Sequence, residues 1–278
     1  MNIRWLLKIR WLRIVGVVCL LIAWEIGARV FAVKTQAEAQ IYPTIEMIIF
    51  RELPNLATFG MGGRGGFDQP SYLGALIVLG RHSLITFWRV IAGTAGGFLL
   101  GIGAGLLIWW NRIIRKLLEP PVLLLRNIPL LALIPLFILW FGGREIGNIF
   151  YVIFGITVMI VISTITAIHN IAPFYEEQAL TLGASRVQIL RTVIIPGILP
   201  EILGGIQVVL GNAFALALGA EYFAAQSGLG RILHFSLIYM NTGRMMIIVF
   251  LFMVYALALF KIARALVDHW TRWMPREE

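Results

Sequence analysis

The sequence is poor in charged residues and nearly free of cysteine, and both deficits narrow the classes of protein it can encode. Only 13% of its 278 residues are charged, whereas 59% are hydrophobic and the mean hydropathy is +0.87. Soluble domains carry about 25% charged residues, so we expect an all-α integral membrane protein. The one cysteine, Cys19, lies inside an apolar run, which excludes an intrachain disulfide and a thiolate metal cluster.

Groups that commonly carry out catalysis are also scarce. No Gly-Lys dipeptide occurs, so the chain lacks a Walker A loop and, with it, an ATP site of that kind. The four histidines are scattered without the spacing of metal ligands. The two aspartates, Asp68 and Asp268, lie outside the long apolar runs. We therefore expect a non-catalytic subunit with no metal and no cofactor of its own.

Long apolar runs predict six transmembrane helices, since about 20 residues cross ~30 Å of hydrocarbon. The predicted spans are 12–33, 83–110, 120–141, 146–168, 202–223 and 244–267. They form a single transmembrane domain over 1–278, with an outer interfacial segment at 34–82 and a cytoplasmic loop at 173–200. Within the outer segment, apolar spacing over 43–59 predicts an amphipathic helix, and the glycine-rich 60–66 predicts a linker.

The distribution of Lys and Arg predicts the orientation, because positive residues are retained on the cytoplasmic side. They concentrate before the first span, between spans two and three, between spans four and five, and after the sixth. Both termini are therefore expected in the cytoplasm. The net charge of +9 consequently reflects membrane topology and contact with lipid rather than nucleic-acid binding. A basic N-terminal patch that includes Arg4 and Lys8 is expected to anchor at the lipid surface.

Small residues on the second span predict close helix packing. Gly93, Gly97, Gly101 and Gly105 recur every four residues, which lets another backbone approach. Packing within one subunit is favoured over a seam between two copies. The fifth span repeats the pattern more weakly, through the small residues Gly211, Ala215 and Gly219.

Few ionisable residues fall within the spans, and each is expected to have a partner. Glu25 and Arg29 are four residues apart and can pair on one helix face. Arg89 and Glu221 fall near the outer third of their spans and are predicted to pair with each other. Two interpretations remain open for that pair, a static salt bridge, which is favoured, or part of an outer gate.

The polar segment 176–200 lies between long apolar runs and is far longer than a simple connection requires. Pro173 and Glu176 are expected to open a helix, with acidic side chains at its positive end. Gly183 then allows a turn, and a second helix beginning near Val187 returns toward the membrane. This arrangement predicts a docking surface for a partner in the aqueous phase.

The same segment resembles the EAA loop of bacterial ABC importer permeases. That family has Glu-Ala-Ala, three residues, Gly, nine residues and then Ile-x-Leu-Pro. Here Glu177, Gln178 and Ala179 are followed at the same spacing by Gly183 and by Val-Ile-Ile-Pro ending at Pro196. The second-span residues Ser83, Leu84, Arg89, Gly93, Phe98, Gly101 and Gly105 resemble the nitrate, sulfonate and taurine permease branch. The segments 129–142, 220–221 and 227–230 are similar to that branch too, although Asn127 and Ile128 separate Arg126 from Pro129.

This resemblance implies a type I, binding-protein-dependent importer permease in the bacterial inner membrane. Its implied partners are a second copy of the permease in a homodimer, two ATP-binding subunits that hold ATP and Mg, and an extracytoplasmic solute-binding protein. The residues expected to couple to the ATPase are Glu176, Glu177, Ala179, Leu182, Gly183, Ala184 and Pro196. The candidates for the translocation path or gate are Arg89, Pro129, Pro135, Asn212, Phe214 and Glu221.

The expected function is alternating-access import of a small anion such as a sulfonate, taurine, nitrate or bicarbonate. A neutral or cationic heterocycle stays open as the solute. The alternative from another class is an ion-coupled secondary transporter or channel subunit that works without an ATPase. That alternative predicts acidic residues at mid-membrane and inverted repeats, and the sequence displays neither.

Overall fold

The computed structural model describes residues 3–30, 41–60 and 66–270, and the regular elements in that part of the chain are all helical. The longer helices are α1 (Ile3–Val30), α2 (Tyr72–Trp110), α3 (Arg112–Leu125), α4 (Leu130–Phe141), α5 (Glu145–Asn170), α6 (Pro173–Thr181), α7 (Arg186–Gly204), α8 (Ile206–Ala224), α9 (Leu229–Ile238) and α10 (Thr242–Trp270). Contacts divide the chain into two compact units. One comprises Met1–Arg81 and Ile232–Leu251, and the other His82–Arg231 and Phe252–Glu278.

The first unit contains α1 and the predicted outer segment. Glu25 and Arg29 pair at 2.9 Å, as their spacing predicted, and the second carboxylate oxygen of Glu25 accepts the Ile45 N–H at 3.0 Å. Helical turns cover 45–58, within the predicted helix at 43–59. Most of the predicted linker at 60–66, the end of the first span beyond Val30 and the side chains of the basic N-terminal patch lie outside the described residues.

In the second unit, α2 packs on α5 through the predicted glycine face. A Cβ added to Gly97 would lie 2.5 Å from Ile156, and Cβ atoms on Gly101 and Gly105 would lie 2.6 Å from Ile160 and Thr164. The glycines therefore serve packing inside one subunit, as predicted. From one contact to the next, the residue number increases by four on both helices. The two helices, α2 and α5, therefore run parallel.

The predicted third span, 120–141, is wrong as one continuous helix. The chain breaks between α3 and α4, whose axes differ by 95°. Ile128 precedes Pro129 and is disfavoured in α conformation, and Pro129 has no N–H to donate. The carbonyl of Leu130 instead accepts the Tyr151 hydroxyl of α5 at 2.9 Å. Because α2 and α5 are parallel, the chain must return across the membrane between them, and only the bent α3–α4 pair can do this.

Five described helices are long and apolar enough to cross a membrane, or six when the bent pair counts as one. One of the five is α7, of which only the last residues belong to a predicted span, 202–223. Arg89 of α2 contacts both Glu145, at the start of α5, and Glu221, near the end of α8. Therefore α5 and α8 are antiparallel, and the connection between them begins and ends on one side. The amide of Asn170 donates to Glu201 at 3.0 Å, so α7 doubles back beside the end of α5 rather than crossing.

Candidate functional site

The loop between α5 and α8 has the two-helix form that the sequence predicted. Pro173 occupies the first turn of α6 with Glu176, and the helix ends in a Schellman motif. There the Gly183 N–H donates to the Leu180 carbonyl and the Ala184 N–H donates to the Ala179 carbonyl, both at 2.9 Å. Gly183 has φ +79°, a left-handed conformation that glycine adopts without strain.

A capping box that the sequence analysis missed starts the second helix of the loop. The Ser185 N–H donates to the Gln188 side chain at 2.7 Å, and the Gln188 N–H donates to the Ser185 hydroxyl at 3.4 Å. The Ser-x-x-Gln spacing was the available signal. One π-type turn at Leu190–Ile194 follows, and Pro196 lies directly after it, in the first turn of the α-helical segment Ile195–Gly204.

The apolar residues of the loop point in two directions. Ala179 and Ala184 are partly buried and pack on the core of the second unit. Leu182, at the tip, is 88% exposed, and Leu180, Phe174 and Tyr175 are more than half exposed. Glu177 is exposed beside them, whereas Glu176 is half-buried. The loop is thus attached through its alanines and presents an apolar tip to its surroundings.

A cavity of about 540 Å³ lies in the second unit where α5, α8 and the α3–α4 break meet. Pro129 and Asn212, both predicted for the translocation path, line it together with Arg126 and Ser163. Phe214, a third candidate, is instead buried against Phe87 and Phe252, with ring centroids 5.7 and 6.1 Å away. The fourth, Pro135, is exposed on α4 and is not part of this cavity wall.

Arg89 and Glu221 form the predicted pair, at 2.8 Å, and both side chains are almost fully buried. The guanidinium has two further partners that were not predicted from the sequence. Glu145 accepts from Nε at 2.9 Å and also from Nη2, and Ser227 accepts through its carbonyl at 2.8 Å and its hydroxyl at 3.2 Å. All five N–H groups of Arg89 therefore have acceptors.

The other carboxylate oxygen of Glu221 is equally well satisfied. It accepts the Thr86 hydroxyl at 3.0 Å and the Gly230 N–H at 2.9 Å. Gly228, with φ +105°, leaves no room for a Cβ beside this carboxylate. A buried charge pair with every polar atom bonded is expected to hold a fixed structure, which favours the static interpretation over a moving gate.

Comparison with known proteins identifies the family of this chain. Residues 97–274, more than half of the chain, match the family described as "Binding-protein-dependent transport system inner membrane component". The chain belongs to this family. It is a transport permease of the inner membrane, and the function class expected from the sequence is confirmed.

Two relatives illustrate the similarity of this permease to others. It is 30% identical over 98% of its length to the putative aliphatic sulfonates transport permease protein SsuC of Escherichia coli (strain K12), covering 94% of that protein. It is 34% identical to the taurine transport system permease protein TauC of the same organism, over 55% of each chain. This second match thus spans about half the length of both proteins.

Solved structures agree on the fold. The permease covers 96% of one chain in the inward-facing MetNI methionine ABC transporter, with a TM-score of 0.61 and 20% identity over 70% of its own length. At that identity the likeness concerns the fold alone. The all-α, type I importer permease fold expected from the sequence is therefore confirmed, whereas the cytoplasmic placement of the termini stays a prediction. Membership of the family also implies an ATPase and a binding protein as partners.

Proposed function

We propose that this permease works as one of two identical copies in an ATP-driven importer of small organosulfonates, by alternating access. In this proposal both termini and the α6–α7 loop lie in the cytoplasm. ATP and Mg bind and react in two separate ATPase subunits, and a binding protein delivers the solute from outside. The names of the sulfonate and taurine relatives support the substrate class.

The observation that carries the coupling role is the exposed apolar tip of the loop. Leu182 is 88% exposed although its neighbours Ala179 and Ala184 turn inward. Removal of such a side chain from water by a partner lowers the free energy of the complex, by about 2 kcal/mol for a fully buried leucine. We propose that α6, with Glu176, Glu177 and Gly183, sits in a groove of the ATPase. Rigid-body motion of the ATPase would then pass through Ala179, Ala184 and Pro196 to the core.

The test is reconstitution of the permease with the ATPase and binding protein of its own system in proteoliposomes. We expect ATP-dependent uptake of radiolabelled taurine or an alkanesulfonate, and loss of both uptake and ATPase co-purification in Leu182→Asp and Gly183→Asp. Leu182→Met preserves an apolar tip and serves as the matched control. Uptake by the permease alone without ATP, or normal ATPase binding in both aspartate variants, would contradict the proposal.

A further inference from the structure

The cavity at the α3–α4 break contains an arginine without a partner. Arg126 follows the last residue of α3, is an exposed residue and is one of the residues that line the cavity. Among the described residues, none forms a hydrogen bond or an ion pair with its side chain. From the sequence, Arg126 stood out only in the comparison with the permease branch, where Asn127 and Ile128 separate it from Pro129. An unpaired cation beside an apolar cavity requires either water or an anion near it.

Two neighbouring polar side chains also keep hydrogen-bonding capacity. Asn212 uses one amide N–H to bond the Val208 carbonyl at 2.9 Å, which leaves its second N–H and its oxygen available. The Ser163 hydroxyl has no hydrogen-bond partner among the described residues. The three side chains belong to three different elements, which are the helix break, α8 and α5. Their convergence on one cavity is therefore a product of the fold.

The cavity lies part of the way along α5 and α8 rather than at their ends. Ser163 lies roughly two helical turns, ~10 Å, from the end of α5, and Asn212 lies about as far from the start of α8. The end of α5 and the start of α8 both lie on the side of the loop that connects these two helices. Irregular backbone at such depth is tolerated where it is buried in protein or lines a water-filled cavity. The residues of the α3–α4 break line this cavity, so their backbone can be solvated there if water enters it.

The wall composition indicates the kind of solute that fits. The remaining lining is apolar and includes Met159, Ile162 and Leu216, and the lining contains neither Asp nor Glu. A volume of about 540 Å³ lies within the range of small-molecule sites, ~300–1,000 Å³. An arginine with a hydroxyl and an amide suits a compact oxyanion, and the apolar wall suits a short hydrocarbon chain.

We infer that Arg126, with Ser163 and Asn212, forms an anion-selective subsite on the translocation path, which binds the oxyanion head of an organic anion. This inference rests on the proposed function for the identity of the solute. The charge of Arg126 attracts the oxyanion head, and Ser163 and Asn212 donate hydrogen bonds to the oxygens that Arg126 leaves free. The bound state stays weak because the wall contributes no second cation, and a weak site lets the solute leave.

The direct test measures the charge preference of the cavity in the assembled transporter. In a Cys19→Ser background, Ser163→Cys is modified with a sulfonate-bearing and a trimethylammonium-bearing methanethiosulfonate reagent in inside-out membrane vesicles. Adding Arg126→Gln should lower the ratio of anionic to cationic modification rates about tenfold, and Arg126→Lys should largely preserve it.

The matched control is Arg144→Gln, which removes an exposed arginine ~30 Å away at the other end of α5 and should leave the ratio unchanged. A ratio that does not respond to Arg126→Gln overturns the inference. So does a Ser163→Cys thiol that neither reagent reaches, because the cavity would then not be part of an aqueous path.

A second measurement separates this inference from the proposed function. With the complete transporter in proteoliposomes, Arg126→Gln should lower kcat/KM for taurine uptake about tenfold or more, with Arg126→Lys intermediate. Normal taurine uptake in Arg126→Gln, with a wild type that requires ATP, overturns the subsite and leaves the proposed function intact. A charge preference that depends on Arg126, in a transporter that moves no sulfonate, supports the subsite and rejects the proposed substrate.

Discussion

Arg89 and Arg126 belong to the same compact unit, yet their side chains differ in both exposure and bonding. Arg89 is 1% exposed and bonds through all of its N–H groups to Glu145, Glu221 and Ser227. Arg126 is exposed on a cavity wall and has no partner among the described residues. A fully bonded charge holds elements in place, whereas an unbonded one remains available to a ligand. The difference therefore separates a structural cluster from a candidate binding site.

Removal of each charge should affect stability very differently. Arg89→Met leaves two carboxylates without their cation and should lower the free energy of unfolding by about 3–5 kcal/mol. Arg126→Met should change it by less than about 0.5 kcal/mol, since no protein partner is lost. Unfolding in mixed detergent micelles measures both. Equal losses for the two variants would mean that Arg126 has a structural role as well.

Two glycines with positive φ extend the comparison to the backbone. Gly228→Ala places a Cβ against the Glu221 carboxylate and should destabilise the protein by about 3 kcal/mol, from strain and overpacking together. At Gly183 nothing lies within 4 Å of an added Cβ. Gly183→Ala should therefore lower the free energy of unfolding only through backbone strain, by about 1 kcal/mol, and Gly183→Asn should lower it by less.

Thermal unfolding of these three glycine variants supplies the measurement. If Gly228→Ala were as mild as Gly183→Ala, the space around Glu221 would be less filled than the structure indicates. Co-purification of the ATPase is a separate readout for Gly183, because the loop can lose its geometry without unfolding the core.

A smaller effect is expected from sterics alone on α2. Gly101→Ala directs a Cβ to within 2.6 Å of Ile160 and 3.1 Å of the Thr157 carbonyl, and should cost about 1–3 kcal/mol. Gly103→Ala, on the same helix, has no atom within 4 Å and should be neutral or stabilising by about 0.5 kcal/mol. The same unfolding assay checks this pair, and a seam between two copies would reveal itself as a loss of dimer in Gly103→Ala.

The smallest expected difference concerns two serines. Ser227→Ala removes one 3.2 Å bond to Arg89 and should lower the free energy of unfolding by about 1 kcal/mol. Ser163→Ala should leave stability unchanged and raise KM for the transported anion a fewfold. Uptake titrations and unfolding curves for both variants test the assignment. A stability loss in Ser163→Ala without a change in KM would place Ser163 in the structural class.

Sequence reasoning succeeded where the information is local or repeated. The Pro173 start, the Gly183 turn and the four-residue glycine spacing all follow from backbone preferences that a short window displays. The pairing of Arg89 with Glu221 was accessible because each is a rare charge in an apolar span. Glu145 and Ser227 were not predicted as partners because both lie outside the predicted spans, where a charge or hydroxyl needs no buried partner.

The sequence by itself determined the membrane class, most of the helices and the two-helix form of the loop between α5 and α8, because composition, periodicity and turn chemistry act over a few residues. Only the tertiary structure decided that 120–141 bends by 95°, that α7 doubles back, and that Arg126, Ser163 and Asn212 meet in one cavity. These features depend on contacts between residues far apart in the chain. The relative positions of such residues are set by the packing of whole helices against each other, which no local preference encodes.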